Sequence, residues 1–532
     1  MRRRSRERQH PRRESLKKSH LLHHFLSRAA DEHPDQPFLV HEEQVSCYGE
    51  VEASSNRLAR RLLGEGLGVG DRVGILAQNS RFYVEAYYAV LKAGAIAVPL
   101  NTAARGPALA QVLRDCGARF LLAGRRFARE CLSAISEGTE LEVLALQGGS
   151  RGLARLPGEV RGLSLDEGVE SESPDPVDRG SVEGDIASIV YTSGSTGTPQ
   201  GVALSHGNLC SNALSIVDYL HLSSEDRVLA ILPFYYVYGK SLLNTHAAVG
   251  GTVVIENRFQ YPNTALDTLE SERCTGLAGV PSTFSILLNR SNLTQRNLSH
   301  LRYVTQAGGG MSPQLTRRLM EALPNQQVFV MYGATEAAAR LAYLAPDELP
   351  RKIGSIGKAI PGVELRVLRA DGSEAADGEE GEIVARGPNI MAGYWNDPEA
   401  TSEVLDEHGY HTGDLARRDE EGFLYVVGRT RDFIKAGAHR ISAREIEDAI
   451  LEDVEVHESA VIGVPDEMLG EKIVAYVVPR AAAAFDPAAL AKSLKHRLPI
   501  YKVPAEIRVL DDLPKNESGK IMKQVLRANP PA

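Results

Sequence analysis

The chain has 532 residues, 43% hydrophobic and 24% charged, with a formal net charge of −9. That length and composition leave room for a large core and several domains, and they exclude disordered, collagen-like and disulfide-scaffold chains. The negative balance also argues against a general binder of nucleic acid or acidic membrane.

Charge is not evenly spread. Residues 1–20 carry nine Arg or Lys against two Glu, so this tail is +7 and the rest of the chain −16. The tail reads as a solvated, disordered basic arm, with contact to nucleic acid or acidic lipid as the alternative. No apolar stretch follows it that could form a signal-peptide core, and no segment approaches the ~20 apolar residues of a membrane span. Cys47, Cys116, Cys131, Cys210 and Cys274 are scattered with no C-x-x-C spacing, which predicts reduced thiols and neither a zinc nor a disulfide framework. A cytoplasmic protein with no nucleic-acid partner and no integral membrane segment is expected.

In chain order, Arg72–Gln78 reads as a buried strand, Phe82–Ala93 as a helix and Ala95–Pro99 as the next strand. The same rhythm recurs after Val228 and after Thr252. Strands alternating with helical patterns predict βαβ units and a parallel sheet. Between Asp166 and Asp185 stand eight acidic residues with Pro174 and Pro176, the composition of an exposed connector. Asp371-Gly372, Asp377-Gly378 and Glu421-Gly422 mark turns between short β-rich segments. A compact unit then follows, with helix Ala443–Leu451, strands Ser459–Val464 and Lys472–Val478, and helix Pro487–Arg497. Its size suits a small separate domain. The expected fold class is α/β: a large N-terminal body of parallel-sheet βαβ subdomains plus a β-rich subdomain, with a small mobile α+β C-terminal lid. The expected divisions are a tail at 1–20, the body at 21–430 and the lid at 431–532.

Asp185–Val190 is a short apolar strand, followed by Tyr-Thr-Ser-Gly-Ser-Thr-Gly-Thr-Pro-Gln-Gly from Tyr191 to Gly201. Its glycines let backbone N–H groups turn toward an anion, and its hydroxyls suit phosphate oxygens. No G-K-[ST] closes it, so it is not a Walker loop. Taken alone, it is either a flexible loop or a phosphate cradle.

This stretch resembles the signature of the adenylate-forming superfamily, which holds acyl-CoA synthetases, aryl-CoA ligases, luciferases and peptide-synthetase adenylation domains. That signature reads Y-T-S-G-[ST]-T-G-x-P-K-G, so Gln200 replaces a common Lys, and a slower or weaker ATP step is expected. The resemblance covers nearly all of the chain after His20, with further motifs in family order. They are Leu232–Gly239, Gly308-Gly309-Gly310, Tyr332-Gly-Ala-Thr-Glu336, Tyr410–Leu415, Gly428–Lys435 and Pro514–Lys520. Residues 21–430 are then the AMP-binding adenylation core.

The resemblance implies ATP, Mg²⁺ and CoA as cofactors, or in place of CoA the phosphopantetheine of an acyl carrier protein. It also assigns roles residue by residue. Thr192, Ser193, Gly194, Ser195, Thr196 and Gly197 would cradle phosphate. Gly309, Gly310, Tyr332 and Gly333 would hold the nucleotide, with Tyr332 on adenine. Asp414 would accept from the ribose hydroxyls and Arg429 would support them. Glu336 is the implied Mg²⁺ ligand, helped by Thr196, and Thr335 would bond phosphate. Lys520 is the implied catalytic cation, reaching the α-phosphate and the substrate carboxylate, and Glu336 and Thr335 complete the catalytic set. Such a catalyst mainly aligns reactants and screens crowded negative charge.

In this superfamily the lid rotates after adenylation to admit a thiol, and Arg431 occupies the hinge position. Gly437 and Ala438 fall on the loop lining the pantetheine channel, where Ala438 replaces a common Gly. The acid would lie among Tyr236, Gly239, Gly308 and Ala334. Phe234–Ser241 contains no acidic residue to pair with an α-ammonium, which disfavours amino acids. Aromatic packing at a strand end accounts equally for Tyr235 and Tyr238. The expected reaction is ATP-dependent activation of a fatty or aryl carboxylic acid, then transfer to the CoA thiol. Loading of a carrier protein, a non-catalytic acyl-nucleotide-binding pseudoenzyme and an oxidative, light-emitting use of the adenylate are the alternatives.

Overall fold

The computed structural model describes residues 21–149, 153–193, 199–429, 433–436, 439–466, 470–480, 485–515 and 521–528. Two mostly parallel sheets form the body. In the first, strands Gln327–Tyr332, Tyr303–Gln306, Gly276–Gly279, Arg227–Ala230, Thr252–Ile255 and Pro37–His41 lie side by side and parallel. Antiparallel strands finish its edges, Gln44–Cys47 at one end and Ala342–Leu344 with Lys358–Ala359 at the other. The second sheet runs Ile186–Ser193, Ile96–Pro99, Arg72–Leu76, Phe120–Gly124, Val143–Gln147 and Arg161–Ser164, again parallel.

Burial on both faces explains the near-continuous apolar runs of these strands. Ile96–Pro99 and Thr252–Ile255 are buried at every position. Helix Arg81–Lys92 packs on the second sheet and helix Val237–Val249 on the first, and both enter one shared core. Each is buried on nearly all sides, as expected of a helix enclosed between two layers. The segment from Phe234 is therefore not a strand end. Pro233 cannot extend a ladder, the Tyr236 N–H turns back to the Pro233 carbonyl at 3.2 Å, and the helix starts at Val237 with Tyr236 as its cap.

An antiparallel sheet follows, built from Glu364–Leu368, Glu380–Arg386, Gly409–Arg418 and Leu424–Arg429, with Leu405–Asp406 at its edge. Its Asp-Gly and Glu-Gly turns place Gly372, Gly378 and Gly422 at φ of 80°, 81° and 83°. The C-terminal unit has helix Ala443–Leu451, a long pair Val456–Asp466 with Gly470–Pro479, helix Pro487–Arg497 and a parallel strand Glu506–Val509. Its apolar residues form their own clusters. Both long strands outrun their apolar centres, because ladder bonds come from backbone and tolerate polar ends. Among the described residues no helix is long and apolar enough to cross a membrane.

Several basic groups are buried in the body, His206 and Lys240 among them. His206 Nδ1 accepts the Leu22 N–H at 3.1 Å, and burial pushes this imidazole down from 6.5 to about 4. Lys240 Nζ donates to Ser188 Oγ at 3.1 Å, and burial pushes it down from 10.5 to about 7. In both windows the unfolded chain binds a proton that the folded chain refuses, so stability rises with pH by up to ~1.4 kcal/mol per pH unit for each group. Thermal unfolding is therefore expected to move to higher temperature from about pH 5 to about pH 8, above which the buried Cys116, Cys131 and Cys274 thiols, pushed up to about 12, oppose the rise. His206→Gln should lessen the slope of the acid limb, which buried His23 and His246 share, and Lys240→Met that of the alkaline limb, which Lys92 shares. A wild-type melting temperature that falls across this range would contradict the burial argument.

Candidate functional site

In open parallel sheets, ligand sites form where loops leave the carboxyl ends of the strands. Here Gly308–Gly310 leaves strand Tyr303–Gln306, and Gly333–Glu336 leaves strand Gln327–Tyr332. Gly308 has φ of 82°, a conformation that favours glycine. The buried Gln306 side chain donates to the Gly309 carbonyl at 2.8 Å and fixes this turn. A Cβ on Gly333 would fall 2.0 Å from the Ala339 carbonyl oxygen, so only glycine lets the loop double back here. Ala334 precedes a short 3₁₀ turn, Thr335–Ala337.

Asp414 links the two kinds of sheet. It stands on Gly409–Arg418, in register with Arg429 on the neighbouring strand. Its Oδ1 accepts from Arg429 Nε at 2.9 Å, and its Oδ2 accepts from the Tyr332 hydroxyl at 2.6 Å. Its own N–H is held by Thr412 Oγ1 at 3.1 Å. Burial and the adjacent Asp414 charge keep the Tyr332 hydroxyl protonated, well above the usual phenol range. Asp414 is 6% exposed, yet each carboxylate oxygen has a lone pair to spare for a further donor.

Glu336 is connected to strand Pro199–Ser205 through a chain of contacts. Strands Ile186–Ser193 and Pro199–Ser205 pair antiparallel down to Ser193 opposite Pro199. Strand Pro199–Ser205 then pairs with Gly393–Tyr394. The Tyr394 hydroxyl donates to Glu336 Oε1 at 2.9 Å, and the Met391 N–H donates to the Glu336 carbonyl at 2.8 Å. Thr192 Oγ1 donates to the Gln200 carbonyl at 3.5 Å. Gly194, Ser195, Thr196 and Gly197 lie outside the described residues, as do Arg431, Gly437, Ala438 and Lys520.

A cleft of about 420 Å³ separates body from C-terminal unit. Gln306, Gly308, Gly309, Gly310, Tyr332, Gly333, Asp414 and Arg429 line its body side. Arg444, Glu447, Lys515 and Lys523 face them from the other wall. Arg444 sits against Gly310, where a Cβ would come within 2.8 Å of its Nη2. Lys523 pairs with Glu447 at 2.7 Å and Lys515 with Glu458 at 2.6 Å. Among the described residues, Thr335, Glu336, Ala334, Tyr236 and Gly239 do not line this cleft. Tyr236 and Gly239 lie instead at the start of helix Val237–Val249.

Sequence reasoning missed three contributors. Tyr394 holds Glu336 from 58 residues away, a distance no local pattern spans. Arg444 sits in a helix whose first turn gives no hint that it faces a glycine loop. Arg340 follows three alanines and is 2% exposed. A lone arginine in an apolar run was the available signal.

Comparison with known proteins identifies the family. The profile of the AMP-binding enzyme family matches residues 26–395, and that of the AMP-binding enzyme C-terminal domain matches residues 445–520. The chain is 32% identical to the indoleacetate–CoA ligase of Aromatoleum aromaticum (strain DSM 19018 / LMG 30748 / EbN1) over 510 residues, 95% of this chain and 97% of that protein. It is 35% identical to a feruloyl-CoA synthase of Amycolatopsis sp over 483 residues, 90% and 93% of the two chains. The crystal structure of the anthranilate CoA ligase AuaEII in complex with anthranoyl-AMP superposes with a TM-score of 0.87 at 25% identity, covering 96% of each chain. The chain thus belongs to the AMP-binding enzyme family.

Proposed function

We propose that this AMP-forming acid–thiol ligase activates an aryl or fatty carboxylic acid with ATP, releases pyrophosphate and passes the acyl group to the CoA thiol. The observation that carries the reading is the Asp414 carboxylate, fixed by Tyr332 and Arg429 on the floor of the cleft and still able to accept two hydroxyl donors. A ribose with two adjacent hydroxyls fits that acceptor. Tyr332 would pack on adenine, with Gly309, Gly310 and Gly333 permitting close backbone approach. An aryl acid is favoured by the tyrosines at 235, 236 and 238 and by the indoleacetate, feruloyl and anthranilate ligases among the similar proteins.

The reaction needs alignment and charge screening more than acid–base chemistry, because the acid's own oxygen attacks the α-phosphate and pyrophosphate leaves. Thr192 and Ser193, with the hydroxyls and glycines at 194–197, would bind the leaving phosphates, and Thr335 would bond the phosphate from the other side. Lys520 would contact the α-phosphate and the substrate carboxylate as charge builds up. Among the described residues no three His, Cys, Asp or Glu side chains gather as a metal cage. A single half-buried carboxylate fits Mg²⁺ that keeps waters and phosphate oxygens as its other ligands. Glu336 and Thr196 would hold it, and it would supply charge neutralisation of the phosphates when bound.

Arg431 would be the hinge between a body ending near residue 430 and a lid at 431–532. Rotation there would withdraw Lys520 and bring Gly437 and Ala438 to the thiol arm, with Gly308, Ala334, Tyr236 and Gly239 around the acyl group. Five free cysteines support a reducing compartment, and we assign the protein to the cytoplasm.

Acid-dependent exchange of labelled pyrophosphate into ATP tests adenylation. Lys520→Ala is expected to lower exchange ~100-fold or more, while thioester formation from preformed adenylate stays within about threefold. Equal loss in both half-reactions would contradict the role given to Lys520. Asp414→Asn should raise the KM for ATP about tenfold with kcat little changed, the pattern of lost ground-state binding. An unchanged KM would remove Asp414 from the nucleotide site.

A further inference from the structure

Arg340 is a cation sealed behind the cleft floor. It is 2% exposed, and its neighbours are aromatic and sulfur-bearing. The guanidinium carbon lies 4.0 Å from the centre of the Tyr238 ring. Nε donates to Met331 Sδ at 3.3 Å, and Nη1 donates to the Ala339 carbonyl at 2.9 Å. Tyr219, whose hydroxyl donates to the same sulfur at 3.0 Å, closes the box. None of these partners is a carboxylate, and Arg340 makes no ion pair among the described residues. Burying a guanidinium without a counter-charge is costly, and buried cations are ordinarily paired. A permanent cation kept in that state points to a counter-ion that arrives from outside the chain.

The backbone is built to hold it there. Asn212 and Asn389 side chains both donate to the Arg340 carbonyl, at 3.0 and 2.8 Å. Just before it, Ala338 and Ala339 adopt φ of 55° and 128°. Left-handed backbone at a residue other than glycine costs ~1–3 kcal/mol and persists only where the surroundings enforce it. The place is also right. Met331 and Gly333 line the cleft, and a Cβ on Gly333 would lie 2.8 Å from Arg340 Cα. Tyr238 donates to the Thr305 carbonyl at 2.9 Å, one residue before the cleft-lining Gln306. Arg340 therefore stands one layer behind the point where the acid's reacting end would meet the nucleotide.

We propose that Arg340 is a specificity-determining residue that pairs with a second oxyanion, a carboxylate or sulfonate, at the far end of the acid substrate. This rests on the adenylation reading above and narrows its substrate class to acids carrying two anionic ends. A guanidinium fork matches a planar two-oxygen anion, and the aromatic box excludes water that would otherwise weaken the pair. A neutral hydroxyl at the same place would leave the buried charge uncompensated.

The test compares pyrophosphate exchange with matched acids, benzoate, 4-hydroxybenzoate, terephthalate and 4-sulfobenzoate, then hexanoate and adipate. The wild-type enzyme is expected to favour acids with the second anion by ~100-fold or more in kcat/KM, as sites built around a buried polar partner do. The carboxylate and sulfonate arms separate the two sources of the anion. Arg340→Leu should raise KM for the dianionic acids, leave kcat within about threefold, and improve the matched monoanions. Arg340→Lys should recover part of the dianion preference. Wild-type preference for benzoate, 4-hydroxybenzoate or hexanoate would overturn the proposal, and this needs no variant to fold. So would an Arg340→Leu enzyme weakened equally toward both series, the mark of a structural role. Absence of exchange with every acid would instead overturn the adenylation reading, and the proposal with it.

Discussion

A buried carboxylate held between a phenol and a guanidinium organises this molecule. Asp414 takes one bond from the parallel-sheet side, through Tyr332, and one from its own antiparallel sheet, through Arg429. The charge-assisted bond from Tyr332 is of a kind worth ~1.5–3 kcal/mol. Arg429 is more than half exposed along its side chain, so its share is smaller and screened by solvent. The larger effect is positional. The clamp fixes the end of the last parallel strand of the first sheet against the β-rich sheet, and the cleft floor lies at that junction.

Other parts of the site are placed by reference to that junction. Glycines 308 and 333 let two strand-end loops fold close to the floor, one through a left-handed turn and one through a backbone approach that no side chain would permit. Glu336 follows on the second loop and is tied through Tyr394 to the hairpin strand Pro199–Ser205. The second sheet thereby shares in a site whose floor belongs to the first. Arg444 on the opposite wall completes a cleft between two separately packed units.

Much of the fold was legible because burial on both faces writes itself into sequence. The strands at Arg72, Ile96 and Ile186 are apolar runs, and the helices Ala443–Leu451 and Pro487–Arg497 were read at their observed limits. Asp-Gly and Glu-Gly pairs fixed turns for a backbone reason and appear where expected. Core packing of Tyr235 and Tyr238 was open from the sequence and both are buried, but a helix start at Val237 was not legible, because Pro233 and the enclosing sheets impose it. The motif residues Asp414, Arg429 and Tyr332 meet at one end of the cleft, and the bonds among them follow from sheet register, which no motif states. Tyr394 and Arg444 reach their partners across the fold. Arg340 stood out only as a lone arginine in an apolar run: its significance lies in having no carboxylate partner among the described residues, and that is a property of packing.

The nucleotide is proposed to bind on the cleft floor around Asp414. A crystal structure of the enzyme with AMP bound tests it most directly. Both ribose hydroxyls are expected within hydrogen-bond distance of the Asp414 carboxylate, with the base against Tyr332. A nucleotide seated elsewhere, with the cleft floor vacant and Asp414 contacting only Tyr332 and Arg429, would contradict it.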